Sequence, residues 1–319
     1  QEGNLDMKRK ILALMLVMLY ASGAWGAYYD EGNNGDSWET AYIIDSAEDF
    51  LLMRTRGTAD AGKYFKLTAD INLSSKNAGA YGDDEWVVNA DRFCGYFDGQ
   101  NHTITLDVNY GYISGGALFG STRLHFIIIK NLNVKGNIVS RNPAAGIINY
   151  LYTGSIENCN FTGNIENHSD TTGGIVRLLG DSDGIIDKAI VQNCSFMGSI
   201  KISGAMVDYY GGYNGGIVGS IYNGTIKNCT FDGTITTSIA TSKYVGGISG
   251  MMYGGTIEDC DVLSDSELFA NTYIGGIVGG VVTDKEHATN KRYINSCVAY
   301  ASLNGNAEYK GGIAGFVNT

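Results

Sequence analysis

From residue 144 onward the apolar positions fall in short runs broken by glycine and asparagine, and one arrangement of them returns roughly every thirty residues. Its clearest copy is GGIVGSIYNGTIKNCTFDGTI, Gly215 to Ile235, in which GGIVG, TIKNC and TFDGTI read as three short strands punctuated by Asn223-Gly224 and Asp232-Gly233. Other copies start at Gly146, Gly173, Gly246, Gly275 and Gly311. The isoleucine of each glycine motif stands at Ile147, Ile175, Ile217, Ile248, Ile277 and Ile313, and cysteine keeps step at Cys159, Cys194, Cys229, Cys260 and Cys297. The unit has no helical period and is rich in Ile, Val, Thr and Gly, so it predicts strands. One such coil cannot bury its apolar side alone, whereas stacked coils share a continuous core. The pattern therefore predicts an all-β, right-handed parallel β-helix, a β-solenoid, with coils of roughly 30 residues and three strands to a turn.

Within TIKNCTFDGTI, Cys229, Phe231, Gly233 and Ile235 alternate onto one face, but Ile226 lies three residues before Cys229 and cannot share that face on a straight strand. The chain must turn near Asn228, and the equivalent positions are Asn158, Asn193, Asp259 and Ser296. Asn and Asp tolerate the left-handed conformation, and a stack of such turns lets one side-chain amide bond to the next coil. The cysteine column reads as buried small hydrophobes, mostly reduced, with one or two bridges between neighbouring coils as the alternative. Two tyrosine series run alongside. Tyr213, Tyr244, Tyr273 and Tyr309 stand two residues before a glycine pair, and Tyr152, Tyr222 and Tyr253 stand before the turn into the next strand. Such series pack or cover an edge; facing outward, they form a flat aromatic strip able to stack on sugars or grip a partner.

Upstream, the pattern changes. Lys8-Arg9-Lys10, the apolar run Ile11 to Leu19 and Ala24-Trp25-Gly26 predict a signal peptide, cleaved to begin the mature chain at Ala27, behind an upstream extension, Gln1 to Asp6. An uncleaved membrane anchor is the alternative. Residues 27–62 hold a polar leader, a first strand in TAYIIDS and the helix SAEDFLLMRTR, Ser46 to Arg56, with Ser46 as cap and Asp49 in the capping-box position. That helix is expected to close the open first coil. Residues 63–143 supply early coils, with Phe93, Phe97, Ile104 and Leu106 as core, Leu132 in the place later taken by cysteine, and Asn77 to Asp91 as a surface excursion. Residues 144–319 form the repeat region, whose last copy lacks its second and third strands, so a further segment or a partner coil is expected to cover it.

The repeat GG-I-V-G, I-x-N-C, G-x-I resembles the GLUG-motif repeat of bacterial surface and secreted proteins. TAYIIDSAEDF, YFKLTADINL, FCGYFDGQNHTITL and GALFG resemble the region preceding such repeats, so the likeness runs from about Trp38 to Thr319. Its glycines map onto Gly215, Gly216 and Gly219 and their equivalents, with departures at Ala145, Asn149 and Arg177 that imply wider or bulged turns. The resemblance implies a solenoid used as a stalk or contact surface, as in haemagglutinin-like adhesins and extracellular segments of immunoglobulin-cleaving proteases.

Charge and candidate chemistry narrow this further. The net charge of −11 repels nucleic acid and anionic lipid. The sequence contains no HExxH, CxxC or phosphate-binding loop. No catalytic residue, cofactor or metal site is therefore proposed from the sequence. His102 beside Asp98 reads as a hydrogen-bonded turn. Asp83, Asp84 and Glu85, like Asp181 and Asp183, read as solvated loops, with weak calcium binding as the alternative for the first group. The expected function is that of a secreted or surface-exposed, non-enzymatic adhesin or interaction module. Its expected partner is a host or matrix glycan or protein, and no transmembrane segment is expected in the mature chain. A passive stalk within a larger protein and a polysaccharide-active enzyme are the alternatives.

Overall fold

In the computed structural model of the chain, the described residues are 32–74, 93–109, 116–120, 125–141, 143–168, 171–181, 189–203, 212–238, 243–283 and 290–318. The signal peptide, the excursion from Asn77 to Asp91 with its acidic run, and Asp183 lie outside them. The chain is an all-β, right-handed solenoid with repeats of about 33 residues and a short N-terminal helix. Every assigned strand pairing is parallel, and four sheets run along the axis.

The sheets follow from the local sequence. The first, of nine strands, contains Ile127–Lys130, Gly154–Glu157, Ala189–Gln192 and Gly224–Lys227. The second, of ten, contains the longest strands, Asn133–Ser140, Asn160–Asn167, Ser195–Ile202 and Thr230–Thr237. Between these two sheets the chain turns at Asn131, Asn158, Asn193, Asn228, Asp259 and Ser296, all with φ of 50 to 53°. This left-handed residue rotates the strand direction, so Ile226 and Cys229 both reach the core at 0% exposure. The amides form a ladder: Asn131 Nδ2 donates to Asp98 Oδ1, Asn158 to Asn131 and Asn193 to Asn158, each at 3.0 Å, and Asn228 to Asn193 at 3.2 Å.

Conformation and ladder can be separated by mutation. Asn193→Ala loses both amide bonds and replaces a residue that tolerates the left-handed region with one that does so poorly, so it should cost about 2 kcal/mol. Asn193→Gly loses only the bonds and should cost less than about 1 kcal/mol. Urea unfolding of both variants checks this; equal losses would contradict the assigned role of the turn.

The three-strand coil expected from the sequence is corrected here. The tight turn at the glycine pair splits the piece GGIVG and its preceding residues into two strands, so each later coil contributes to four sheets. The third sheet holds Tyr213–Gly215, Tyr244–Gly246, Tyr273–Gly275 and Tyr309–Gly311; the fourth holds Val218–Ile221, Ser249–Met252, Val278–Val282 and Ala314–Asn318. Glycine makes this fold-back compact. A Cβ on Gly250 would stand 2.6 Å from the Tyr213 carbonyl carbon and 2.8 Å from Gly219 O, so the third and fourth sheets approach backbone to backbone. A Cβ on Gly216 would strike the Phe231 ring, 2.5 Å from its Cγ. The second glycine of the pair thus seats the phenylalanine column of the second sheet. There Phe161, Phe196 and Phe231 stack at 5.5 and 5.7 Å, all fully buried.

The helix Ala47–Arg56 closes the other end of the core. Ser46 caps it, accepting from Asp49 N at 3.2 Å and donating to Asp49 Oδ2 at 2.6 Å. Phe50 carries the closure: it is fully buried and meets Phe97 and Phe119 edge-on at 6.2 and 5.6 Å. No helix among the described residues is long and apolar enough to cross a membrane.

Candidate interaction surface

Tyr213, Tyr244, Tyr273 and Tyr309 open successive strands of the third sheet and are register partners from coil to coil. The residue after each of the first three, Asn214, Val245 or Ile274, is fully buried, so the tyrosines alternate away from that buried position. They lean on the fourth sheet: the Tyr244 ring lies where a Cβ on Gly280 would come within 2.6 Å of its Cδ1. Tyr213 meets Tyr244 tilted, at 5.6 Å and 51°. Tyr244 and Tyr273 then stack at 4.7 Å and 14°, and Tyr273 and Tyr309 at 5.2 Å and 21°. Phe316 flanks the column, 4.8 Å from Tyr273 and 6.1 Å from Tyr244. Burial, then the neighbouring Tyr273 and Tyr213, pushes the Tyr244 phenol up to about 12. Tyr309 is 51% exposed.

The flat strip of outward ring faces, considered from the sequence as one arrangement, is therefore not what forms. Because the coils repeat at the spacing of stacked rings, the tyrosines spend their faces on one another.

The second tyrosine series joins the first. The Tyr213 and Tyr253 hydroxyls lie 2.7 Å apart, and Tyr253 stacks on Tyr222 at 5.0 Å and 3°. Tyr152 stacks instead on Tyr150, whose hydroxyl accepts from Arg177 Nη1. Arg177 takes a glycine's place without disturbing pairing, since Val176 and Leu178 keep register with Val218 and Ser220.

Cys159, Cys194, Cys229 and Cys260 are buried free thiols in one column, Cys297 is a half-buried member of it, and Cys94 stands apart. Each column thiol lies near the carbonyl two residues back, as Cys194 does to Gln192 O at 3.1 Å, and near one in the preceding coil, as to Ile156 O at 3.6 Å. Burial pushes Cys194 and Cys229 well up. Cys229, ahead of burial, raises Cys260 to about 12. Thiol reagents at pH 8 should therefore leave Cys194 and Cys229 unmodified until the chain unfolds, which mass mapping reads directly. Because these folded-state values lie above the unfolded one, the folded chain keeps protons that the unfolded chain loses once pH passes about 8.5, and stability should fall there.

Reactive groupings among the described residues are few. No group of three or more His, Cys, Asp and Glu side chains is placed to hold a metal ion. His102 pairs not with Asp98 but with Asp70, at 3.2 Å; Asp98 accepts from Gln100 N and Asn131 Nδ2, each at 3.0 Å. Glu166, Ser203, His168 and Lys201 gather on the second sheet. Ser203 Oγ reaches Glu166 directly at 3.1 Å, while Lys201, at 3.0 Å, lowers the Glu166 carboxyl first of all its neighbours. His168 touches both groups, with Nδ1 3.4 Å from Ser203 Oγ and Nε2 3.8 Å from Glu166 Oε1, but Ser203 already donates to the carboxylate directly, so the arrangement is a surface polar cluster rather than a linear nucleophile–base relay.

One aromatic group was missed from the sequence. Trp38 meets Tyr64 edge-on at 4.8 Å, Tyr64 meets Tyr96 at 4.5 Å, and Lys130 Nζ lies 4.2 Å over the Trp38 ring. The repeated Tyr-Phe of YFKL and YFDG was the available signal, since Tyr64 and Tyr96 are register partners.

A GLUG motif is present at residues 210–236. No curated protein matches the chain. Among solved structures, the chain is similar to a crystal structure of a candidate immunoglobulin A1 protease from Bacteroides ovatus: TM-score 0.62, 22% identity, covering 93% of this chain and 88% of that one. It is also similar to a structure described as IgA1 protease, with TM-score 0.57 and 17% identity. That match covers 86% of this chain but 20% of the longer one. At these identities the likeness is one of fold.

Proposed function

We propose that the protein is an exported, non-catalytic interaction module, an adhesin-type solenoid whose contact surface is the tyrosine column Tyr213, Tyr244, Tyr273 and Tyr309. The observation that carries this reading is the column itself: four large aromatic side chains in register, none deeply buried, ending in a half-exposed Tyr309. Exposed aromatic groups of this kind are favoured contact residues. The signal-peptide pattern of residues 1–26 supports export, as does the fold shared with proteins whose names refer to immunoglobulin A1, an extracellular protein.

A stalk is the second reading, and the outer face of the second sheet favours it. There Asn160 bonds Asn133 at 3.0 Å and Ser195 bonds Asn160 at 2.7 Å, while Asn164 bonds Asn137 at 2.9 Å and Ser199 bonds Asn164 at 2.6 Å. These polar groups are spent on holding coil to coil. An array of glycans and extracellular-matrix proteins, with reducing-end release assayed on the same polysaccharides, separates the readings. Saturable binding without release supports the interaction module, release overturns it in favour of an enzyme, and silence in both supports the stalk.

A further inference from the structure

We infer that the tyrosine column takes a linear, uncharged polysaccharide laid along the solenoid axis, one sugar unit to each coil, gripped by ring edges and phenol hydroxyls. This rests on the column being the interaction surface and specifies its ligand class.

The geometry narrows the ligand in three steps. First, the faces of Tyr244 and Tyr273 are occupied, because Tyr244, Tyr273 and Tyr309 stack nearly parallel at 4.7 and 5.2 Å. A sugar lying flat on an isolated aromatic face therefore has no seat between them. What repeats along the axis is the ring rim with its hydroxyl.

Second, those hydroxyls are available. Tyr213 spends its hydroxyl on Tyr253, whereas among the described residues the hydroxyls of Tyr244, Tyr273 and Tyr309 have no hydrogen-bond partner and are not sealed from solvent. They recur once per coil, at the strand spacing of about 4.8 Å. That step is close to the length of one pyranose unit in an extended chain, so each hydroxyl along the row can reach a sugar of its own.

Third, the wall beside them is uncharged. Ser220, Met251, Gly280 and Phe316 are register partners on the fourth sheet, one to a coil. Ser220, Met251 and Gly280 are buried, so among them the half-buried Phe316 alone offers an apolar edge to the C–H faces of sugars, and Gly280 makes room for the Tyr244 ring. Lys310, the charged side chain within the last strand, turns to the carbonyls of Leu303 and Gly305. The chain's charge of −11 disfavours a polyanion.

The test is calorimetric titration of the full chain with β-1,4-glucan, β-1,4-mannan, β-1,3-glucan and α-1,4-glucan oligosaccharides from one to six units, with oligogalacturonate as the charged control. For at least one neutral series, affinity should rise roughly fivefold per unit up to about three units and then level off. Tyr273→Phe and Tyr309→Phe keep the rings and the stack, so they should fold as wild type, and each should weaken binding roughly fivefold. Affinity independent of length, tighter binding of oligogalacturonate, or indifference to both Phe variants would overturn the inference. If no oligosaccharide binds but a matrix protein does, and Tyr273→Ala abolishes that binding, the ligand class is wrong and the interaction surface stands. If nothing binds, both fall.

Discussion

Phe196→Ala is expected to be among the most damaging single changes in the molecule, costing about 3–5 kcal/mol of stability. Phe196 is fully buried and stacked on both sides, by Phe161 and Phe231. Its removal opens a void in the middle of the column, and the neighbouring coils cannot collapse into it. Their spacing is fixed by eight register pairs on each side, Asn160 to Asn167 above and Thr230 to Thr237 below. A solenoid is stabilised by its coil-to-coil interfaces, so the loss should lower the melting temperature of the whole array. A melting temperature within a degree or two of wild type would mean that the column does not hold the coils together.

The second large effect comes from adding atoms. Gly216→Ala should destabilise by about 3 kcal/mol, because the new methyl would lie 2.5 Å from Phe231 Cγ and closer still to the Gly247 carbonyl. The last coil supplies its own control. Gly312 occupies the same motif position, yet a Cβ there meets nothing within 4 Å. Gly312→Ala should be within about 1 kcal/mol of wild type, on the stabilising side, through the less flexible unfolded chain. Both variants carry the same chemical change in the same motif. If they shift the urea midpoint equally, the glycine pair is a local turn requirement and not a seat for the aromatic column.

Much of the architecture was legible in the sequence because it rests on repeated local chemistry. The asparagines before the cysteines signalled a left-handed turn, since few other residues accept that conformation without strain. Ser46 and Asp49 marked the start of the helix for a similar reason: the cap is made by residues three apart. The fold-back at Gly216-Ile217 was not legible. Alternation along GGIVG cannot distinguish one strand from two joined by a tight turn, and the decisive contact, Gly250 against the Tyr213 backbone, is made with a different coil. The pairing of His102 with Asp70 was hidden for the same reason, since the two are neighbours only once the early coils stack. The tyrosine column lies between these cases. Its period was visible in Tyr213, Tyr244, Tyr273 and Tyr309, but ring direction depends on the spacing of coils and on Gly280 in the opposite sheet.

That direction matters for function. A column that spends its faces internally offers a linear row of edges and hydroxyls, which favours an extended ligand over a compact one. It also makes the surface robust to loss of one ring at its exposed end, where Tyr309 is 51% exposed and packs mainly on Tyr273.

The most direct test of the tyrosine column as the contact surface is a comparison of wild type with Tyr273→Ala/Tyr309→Ala on one array of glycans and matrix proteins, after circular dichroism and melting curves have shown both chains folded. The expected result is that every ligand bound by wild type is lost or weakened at least tenfold in the variant. Retention of the same ligands at the same affinity by the folded variant would contradict the account and move the contact surface elsewhere on the solenoid.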